Sequence, residues 1–289
     1  MVYTTLIGSA DLAAHLDDPS FAIVDVRHDL AQPDTLGESQ YRAAHIPGAR
    51  FAHMDRDLAA PKTGKNGRHP LPSPEECAAL FGRLGIAADT QVVAYDAGGG
   101  MYAPRLWWML RWLGHDAVAV LDGGFAKWTR EGRPTTAAVP AARPATLAIR
   151  RVGRALSSDD ILASLPQRSL TLLDARGAER FRGDVEPLDP VAGHIPGAIN
   201  RPYTQNVEPD GTFKSAAKLR AEFESVVGTT PATVIVNTCG SGVSACHNLL
   251  AMEIAGMPGS LLYPGSWSEW CADASRPVAR GDEITSRPR

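Results

Sequence analysis

Short apolar runs rich in β-branched residues alternate along the chain with longer stretches of helical spacing. Ile23-Val24-Asp25-Val26-Arg27, Gln91-Val92-Val93-Ala94-Tyr95-Asp96, Leu172-Leu173-Asp174-Ala175-Arg176 and Thr233-Val234-Ile235-Val236-Asn237-Thr238-Cys239 read as buried strands. Ser73-Pro74-Glu75-Glu76 supplies an N-cap, a proline for the first helical position and a capping-box glutamate. Ala78, Leu80, Phe81 and Leu84 then form an apolar face that ends at Gly85. A second helix is predicted from Pro104 to Leu113, dense in Trp and Leu and closed by Gly114. Strands alternating with helices predict an α/β fold, a mainly parallel sheet with helices on both faces. Ligands of such sheets bind beyond the carboxyl ends of the strands, which singles out the loops after Asp96 and Thr238.

The pattern occurs twice. The two Asp-x-Arg strand ends are each followed by the same pentapeptide, His45-Ile46-Pro47-Gly48-Ala49 and His194-Ile195-Pro196-Gly197-Ala198, and both pairs are offset by 149 positions. Leu121-Asp122-Gly123-Gly124-Phe125-Ala126-Lys127-Trp128 matches Tyr263-Pro264-Gly265-Ser266-Trp267-Ser268-Glu269-Trp270 at an offset of 142, a drift that surface loops tolerate. With the strand Gln91–Asp96 matching Thr233–Cys239, four matches in the same order indicate a duplicated domain. The expected division is a first domain over 1–135, a Pro/Ala-rich extended linker over 136–146 and a second domain over 147–289. Because His45 and His194 recur in both halves, they read as structural.

Composition narrows the function. Of 289 residues, 44% are hydrophobic and 21% charged, as in ordinary globular domains, and the net charge of -3 comes without a basic stripe, which argues against nucleic-acid binding. No apolar run reaches the roughly 20 residues of a membrane helix, and the start at Met1 lacks a secretory signature. A cytoplasmic protein is expected, without membrane partners. The four cysteines (Cys77, Cys239, Cys246 and Cys271) form no C-x-x-C pair and no disulfide framework, and the histidines are scattered, so neither a metal nor an organic cofactor is indicated.

One cysteine stands out. Cys239 leaves a buried strand and enters Gly240-Ser241-Gly242-Val243-Ser244-Ala245, ahead of a helix. Glycines let successive N–H groups turn inward as an anion nest, and the helix adds its positive end. A thiol in that cradle is favoured as the nucleophilic thiolate, and a persulfide on it would be held the same way. A cysteine phosphatase would need an arginine six residues after the cysteine, where Ala245 stands, so phosphate esters fit poorly. Cys77, Cys246 and Cys271 read as packing residues.

With these motifs in view, the whole chain resembles the tandem-domain sulfurtransferases of the rhodanese family. The resemblance implies two similar rhodanese-like domains, the second catalytic, and sulfane-sulfur transfer through a Cys239 persulfide to a thiophilic acceptor such as cyanide, a small thiol or thioredoxin. It makes the first domain inactive, since Asp96 occupies the place of Cys239. The loop Cys239–Ala245 is similar to that of members using 3-mercaptopyruvate rather than thiosulfate. The resemblance further implies a donor subsite of Gly240, Gly242, Val243, Ser244 and the guanidinium of Arg180, and a Ser241-His69-Asp55 relay that moves protons. It also implies a second arginine beyond Arg180, but Asp184–Pro190 contains none, leaving Arg182 as the nearby substitute. Thiosulfate as donor, and a non-catalytic sulfur carrier or binding module, are the alternatives.

Overall fold

Continuous apolar runs become central strands because both faces of a parallel sheet are covered. The computed structural model describes residues 2–141 and 143–282; Met1, Ala142 inside the expected linker, and residues 283–289 at the end of the expected second domain lie outside the described residues. The chain divides into two compact units. One comprises Met1–Ala60, Leu71–Gly153 and Val207–Phe213; the other comprises Pro61–Pro70, Arg154–Asn206 and Lys214–Arg289.

The first unit holds strands β1 (Leu6–Ile7), β2 (Phe21–Asp25), β3 (Arg50–Phe51), β4 (Gln91–Tyr95) and β5 (Val118–Leu121). They form one parallel sheet in the order β1-β5-β4-β2-β3. Its helices are α1 (Ser9–Ala14), α2 (Leu36–Ala43), α3 (Pro74–Arg83), α4 (Ala103–Trp112) and α5 (Gly124–Arg130). The expected capping box opens α3: Ser73 Oγ accepts from Glu76 N–H at 3.2 Å and Glu76 Oε2 accepts from Ser73 N–H at 2.8 Å. Such a cap contributes about 1 kcal/mol. Helix α4 starts one residue before the expected proline and is buried except at Arg111, as an apolar circumference requires. Within it, Trp107 is a core residue whose Nε1 donates to Thr4 O at 2.8 Å. The described residues of 136–146 lie in no helix or strand: Thr136 bridges to His45, and Ala145 N–H donates to Gly82 O at 2.8 Å.

The second unit repeats the plan with β6 (Thr171–Asp174), β7 (Ile199–Asn200), β8 (Ile235–Thr238) and β9 (Leu261–Leu262), parallel in the order β7-β6-β8-β9. The place of β1 is reduced to a parallel bridge between Ala155 and Leu262. Its helices are α6 (Ser158–Ser164), α7 (Ala178–Arg182), α8 (Ala216–Val227), α9 (Ser244–Ile254) and α10 (Ser266–Trp270). No helix among the described residues is long and apolar enough to cross a membrane.

The Asp-x-Arg motifs build the same device in each unit. Arg27 Nη2 reaches Asp25 at 2.6 Å and the carbonyl of Ala44 at 2.6 Å; Arg176 Nη2 reaches Asp174 at 2.6 Å and the carbonyl of Gly193 at 2.9 Å. All four side chains are buried, so each charge depends on its partner and removing one would leave the other stranded. The carbonyls so held precede His45 and His194, whose Nδ1 atoms lie 2.7 and 2.8 Å from the carbonyls of Tyr41 and Phe181. The repeated histidines thus tie their loops to the preceding helices α2 and α7, while the arginines tie them to the strand ends.

Candidate active site

Strand β8 is flanked on both sides, by β6 and β9, and delivers Cys239 at the carboxyl edge of the sheet. The backbone then turns through Gly242, whose φ is +78°, and enters the buried helix α9 at Ser244. The N–H groups of Ser241 and Gly242 point back at Cys239 Sγ, at 3.4 and 3.1 Å. The helix axis adds a positive end to the same spot. Val243 and Ser244 are buried in the first turn behind the loop. The cradle can therefore stabilise negative sulfur by main-chain dipoles alone.

A second motif holds the cradle open. Ser266 Oγ accepts from Cys239 N–H at 3.0 Å, while Trp267 N–H and Ser268 N–H donate to the carbonyls of Cys239 and Gly240 at 3.0 and 2.9 Å. The loop's carbonyls are thereby turned away from the sulfur. Ser266 adopts a left-handed φ of +52°, a conformation that costs a non-glycine residue about 1–2 kcal/mol. The sequence marked this motif as repeated but carried no sign that it faces the cysteine.

The first unit has the same wiring around a different side chain. Phe125 N–H and Ala126 N–H donate to the carbonyls of Asp96 and Ala97, both at 2.9 Å. Asp96 takes the inward N–H groups of Gly98, Tyr102 and Ala103 at 3.1, 2.7 and 3.0 Å. Burial pushes its carboxyl above the ordinary carboxylate range, and these donors work against that shift. The cradle is filled by its own carboxylate and offers no nucleophile.

Near Cys239, Ser241 Oγ lies 2.7 Å from His69 Nδ1, and both residues are buried. Asp55 belongs to the first unit, where its carboxylate is 3.8 Å from His28 Nε2 and its N–H donates to His53 Nδ1 at 3.1 Å. In that unit Tyr102 packs edge-on against His28.

Arg180, on α7, does not pair with its sequence neighbours Glu179 and Asp184. Its Nη2 takes both oxygens of Glu186, at 2.7 and 2.9 Å, and Asp189 at 3.2 Å. Arg182 does not join it: Nε donates to Asp184 at 2.8 Å and the side chain stays partly exposed. A guanidinium that sequence reasoning passed over lies beside Arg180 instead. Arg68, beside His69, hydrogen-bonds Asp189, and its Nη2 lies 2.6 Å from where a Cβ on Gly240 would sit, with Arg180 Nη1 at 3.5 Å. Among the described residues, Arg68 Nε, Arg180 Nε and Arg176 Nη1 are buried without a hydrogen-bond acceptor, although Arg176 Nη1 lies 3.6 Å from Glu186.

The remaining cysteines, Cys77, Cys246 and Cys271, are buried. Burial pushes Cys77 up to about 12 and Cys271 up to about 11. Cys246 Sγ donates to Gly242 O at 3.3 Å inside α9.

Comparison with known proteins follows the same division. The family model described as Rhodanese-like domain matches residues 9–131 and again 157–273. Among curated proteins, the chain is 46% identical over 280 residues to one from Pseudomonas aeruginosa described as a probable 3-mercaptopyruvate sulfurtransferase, covering 96% of this chain and 98% of the relative. It is 39% identical over 242 residues to the thiosulfate sulfurtransferase of Bos taurus, covering 80% of this chain and 78% of the relative. A solved structure of 3-mercaptopyruvate sulfurtransferase from Leishmania major superposes with a TM-score of 0.82 at 33% identity, over 92% of this chain and 74% of that one.

Proposed function

The chain belongs to the family of rhodanese-like domains, and from that premise we propose that it is a sulfurtransferase that takes sulfur from 3-mercaptopyruvate onto Cys239 and passes it to a thiophilic acceptor. The observation that carries this reading is the pair of amide N–H groups on Cys239 Sγ. Preorganised donors of this kind stabilise developing charge without reorganising during reaction.

In the first half-reaction the Cys239 thiolate attacks the donor's sulfur, forming an S–S bond as the C–S bond breaks. The bonding electrons leave with carbon as the enolate of pyruvate, which takes up a proton. The Ser241–His69 pair is suited to deliver that proton. Arg180 and Arg68 supply the cationic rim for the donor carboxylate. In the second half-reaction cyanide, a small thiol or a reduced thioredoxin attacks the outer sulfur and the Cys239 thiolate departs, a double displacement with ping-pong kinetics. We assign Gly240, Gly242, Val243 and Ser244 to the cradle, and no step is routed through Asp55.

Domain roles follow the cradles: the second half catalyses and the first does not. The four cysteines are buried and unbridged, which suits a reducing compartment such as the cytoplasm. Thiosulfate is the second reading for the donor, favoured by two guanidinium groups beside Gly240. Intact mass after incubation with each donor, followed by kcat/KM for both, is the test. The expected result is one added sulfur on Cys239 and a higher kcat/KM for 3-mercaptopyruvate. A thiosulfate preference of about tenfold would reverse the donor, and a loaded protein that discharges to no acceptor would make it a carrier.

A further inference from the structure

The segment 184–190 lacks the arginine expected there and turns two carboxylates inward instead, Glu186 and Asp189, each with a side chain only 3% exposed. They are not equivalent. Glu186 organises its own loop: Oε1 accepts from the N–H groups of Leu188 and Asp189 at 3.0 and 3.1 Å as well as from Arg180. Asp189 gives one oxygen to Arg68 and the other to Arg180. It therefore links the two guanidinium groups that border Gly240, next to the reactive sulfur.

Charge decides what this does. Arg68, Arg176 and Arg180 are balanced here by Asp174, Glu186 and Asp189, so the surroundings of the cradle are close to neutral before the sulfur ionises. A carboxylate fixed at this distance opposes an incoming anion in proportion to the anion's charge. Thiosulfate carries two charges, whereas 3-mercaptopyruvate with its thiol protonated carries one. We propose that Asp189 is a donor-selectivity residue: by neutralising the Arg68–Arg180 pair it discriminates against dianionic donors while leaving a singly charged carboxylate admissible. Asp189 acts through the two arginines and is a positioning residue. The proposal rests on the sulfur-transfer reading above.

The test compares two variants of opposite charge effect, with thiosulfate and 3-mercaptopyruvate as donors and cyanide as acceptor. Asp189→Asn should raise kcat/KM for thiosulfate about tenfold and for 3-mercaptopyruvate about threefold, mainly through KM. Arg68→Gln should lower the two by about the same factors, thiosulfate again the more. Asp189→Glu should keep the wild-type donor ratio. A purely structural role would lower both donors in parallel in Asp189→Asn, and that result, or an unchanged ratio in a folded variant, overturns the proposal. Should Asp189→Asn fail to fold, an unchanged ratio in Arg68→Gln overturns it equally. Wild-type loading of Cys239, read by intact mass alongside, separates the two levels: no loading from either donor sinks the sulfur-transfer reading, whereas normal loading with an unmoved ratio sinks only the role of Asp189.

Discussion

Replacing Gly242 by alanine perturbs the cradle at its tightest point. The residue sits at φ +78°, where an alanine costs about 1–2 kcal/mol. A Cβ there would overlap the carbonyl oxygen of Pro264 and lie 2.8 Å from its Cα, and both are backbone atoms, so neither can swing aside. The backbone must rotate, and the N–H that lies 3.1 Å from Cys239 Sγ rotates with it. A hydrogen bond to a charged group contributes about 1.5–3 kcal/mol, and each 1.36 kcal/mol is a factor of ten in rate. Gly242→Ala should therefore load sulfur about 10- to 100-fold more slowly in a single-turnover experiment followed by intact mass. The strain lowers stability as well, and Tm should fall by about 2–4 °C for each kcal/mol lost. A folded Gly242→Ala protein that loads within threefold of wild type would refute the view that amides at this point stabilise the sulfur.

Cys239→Ser should gain no sulfur from either donor and transfer none to cyanide; undiminished transfer would exclude this cysteine as the carrier. Ser241→Ala keeps its N–H but loses the hydroxyl that meets His69 at 2.7 Å, so turnover with 3-mercaptopyruvate should drop about 100-fold while discharge of a preloaded persulfide to cyanide stays unchanged; equal losses in both half-reactions would contradict the proton-delivery role. Cys271 at about 11 and Cys77 at about 12 should resist iodoacetamide at pH 8, where roughly one in a thousand and one in ten thousand are ionised, so peptide mapping should find Cys239 labelled first. Labelling of Cys77 or Cys271 at comparable speed would show that burial does not control them. Burial raises the carboxyl of Asp122 above its ordinary value, with Phe213 N–H and Lys127 opposing. Because the folded value lies above the unfolded one, the ionised group lowers stability at neutral pH, and that cost vanishes as pH falls through the folded value toward about 4. Asp122→Asn keeps an acceptor for Phe213 N–H, so its Tm should exceed wild type at pH 7 and converge with it near pH 4; a constant difference would point to lost packing rather than charge.

The duplication, the parallel α/β plan and the amide cradle around Cys239 are legible in the chain because each is written in a local pattern. Apolar β-branched runs specify buried strands, Ser73 with Glu76 specifies a helix start, and a cysteine followed by Gly-x-Gly before a helix specifies an amide cradle. The repeated histidines could be set apart from the chemistry because the half with Asp96 carries one too. The supports of the cradle were not legible. Ser266 lies 27 positions from Cys239, and its left-handed backbone has no compositional signature.

The cationic rim shows the same boundary. Sequence proximity pointed from Arg180 to Arg182, but Arg182 follows Asp184 outward. Arg68 lies 121 positions before the Asp189 it binds. What the chain determines alone is therefore what neighbours within a few residues enforce through backbone geometry and period: strands, caps and the Gly-rich turn that follows Cys239. Which charges surround that thiol was decided only in three dimensions, because ion pairs form between whichever side chains the fold brings within a few ångströms, and buried charges cannot remain without partners.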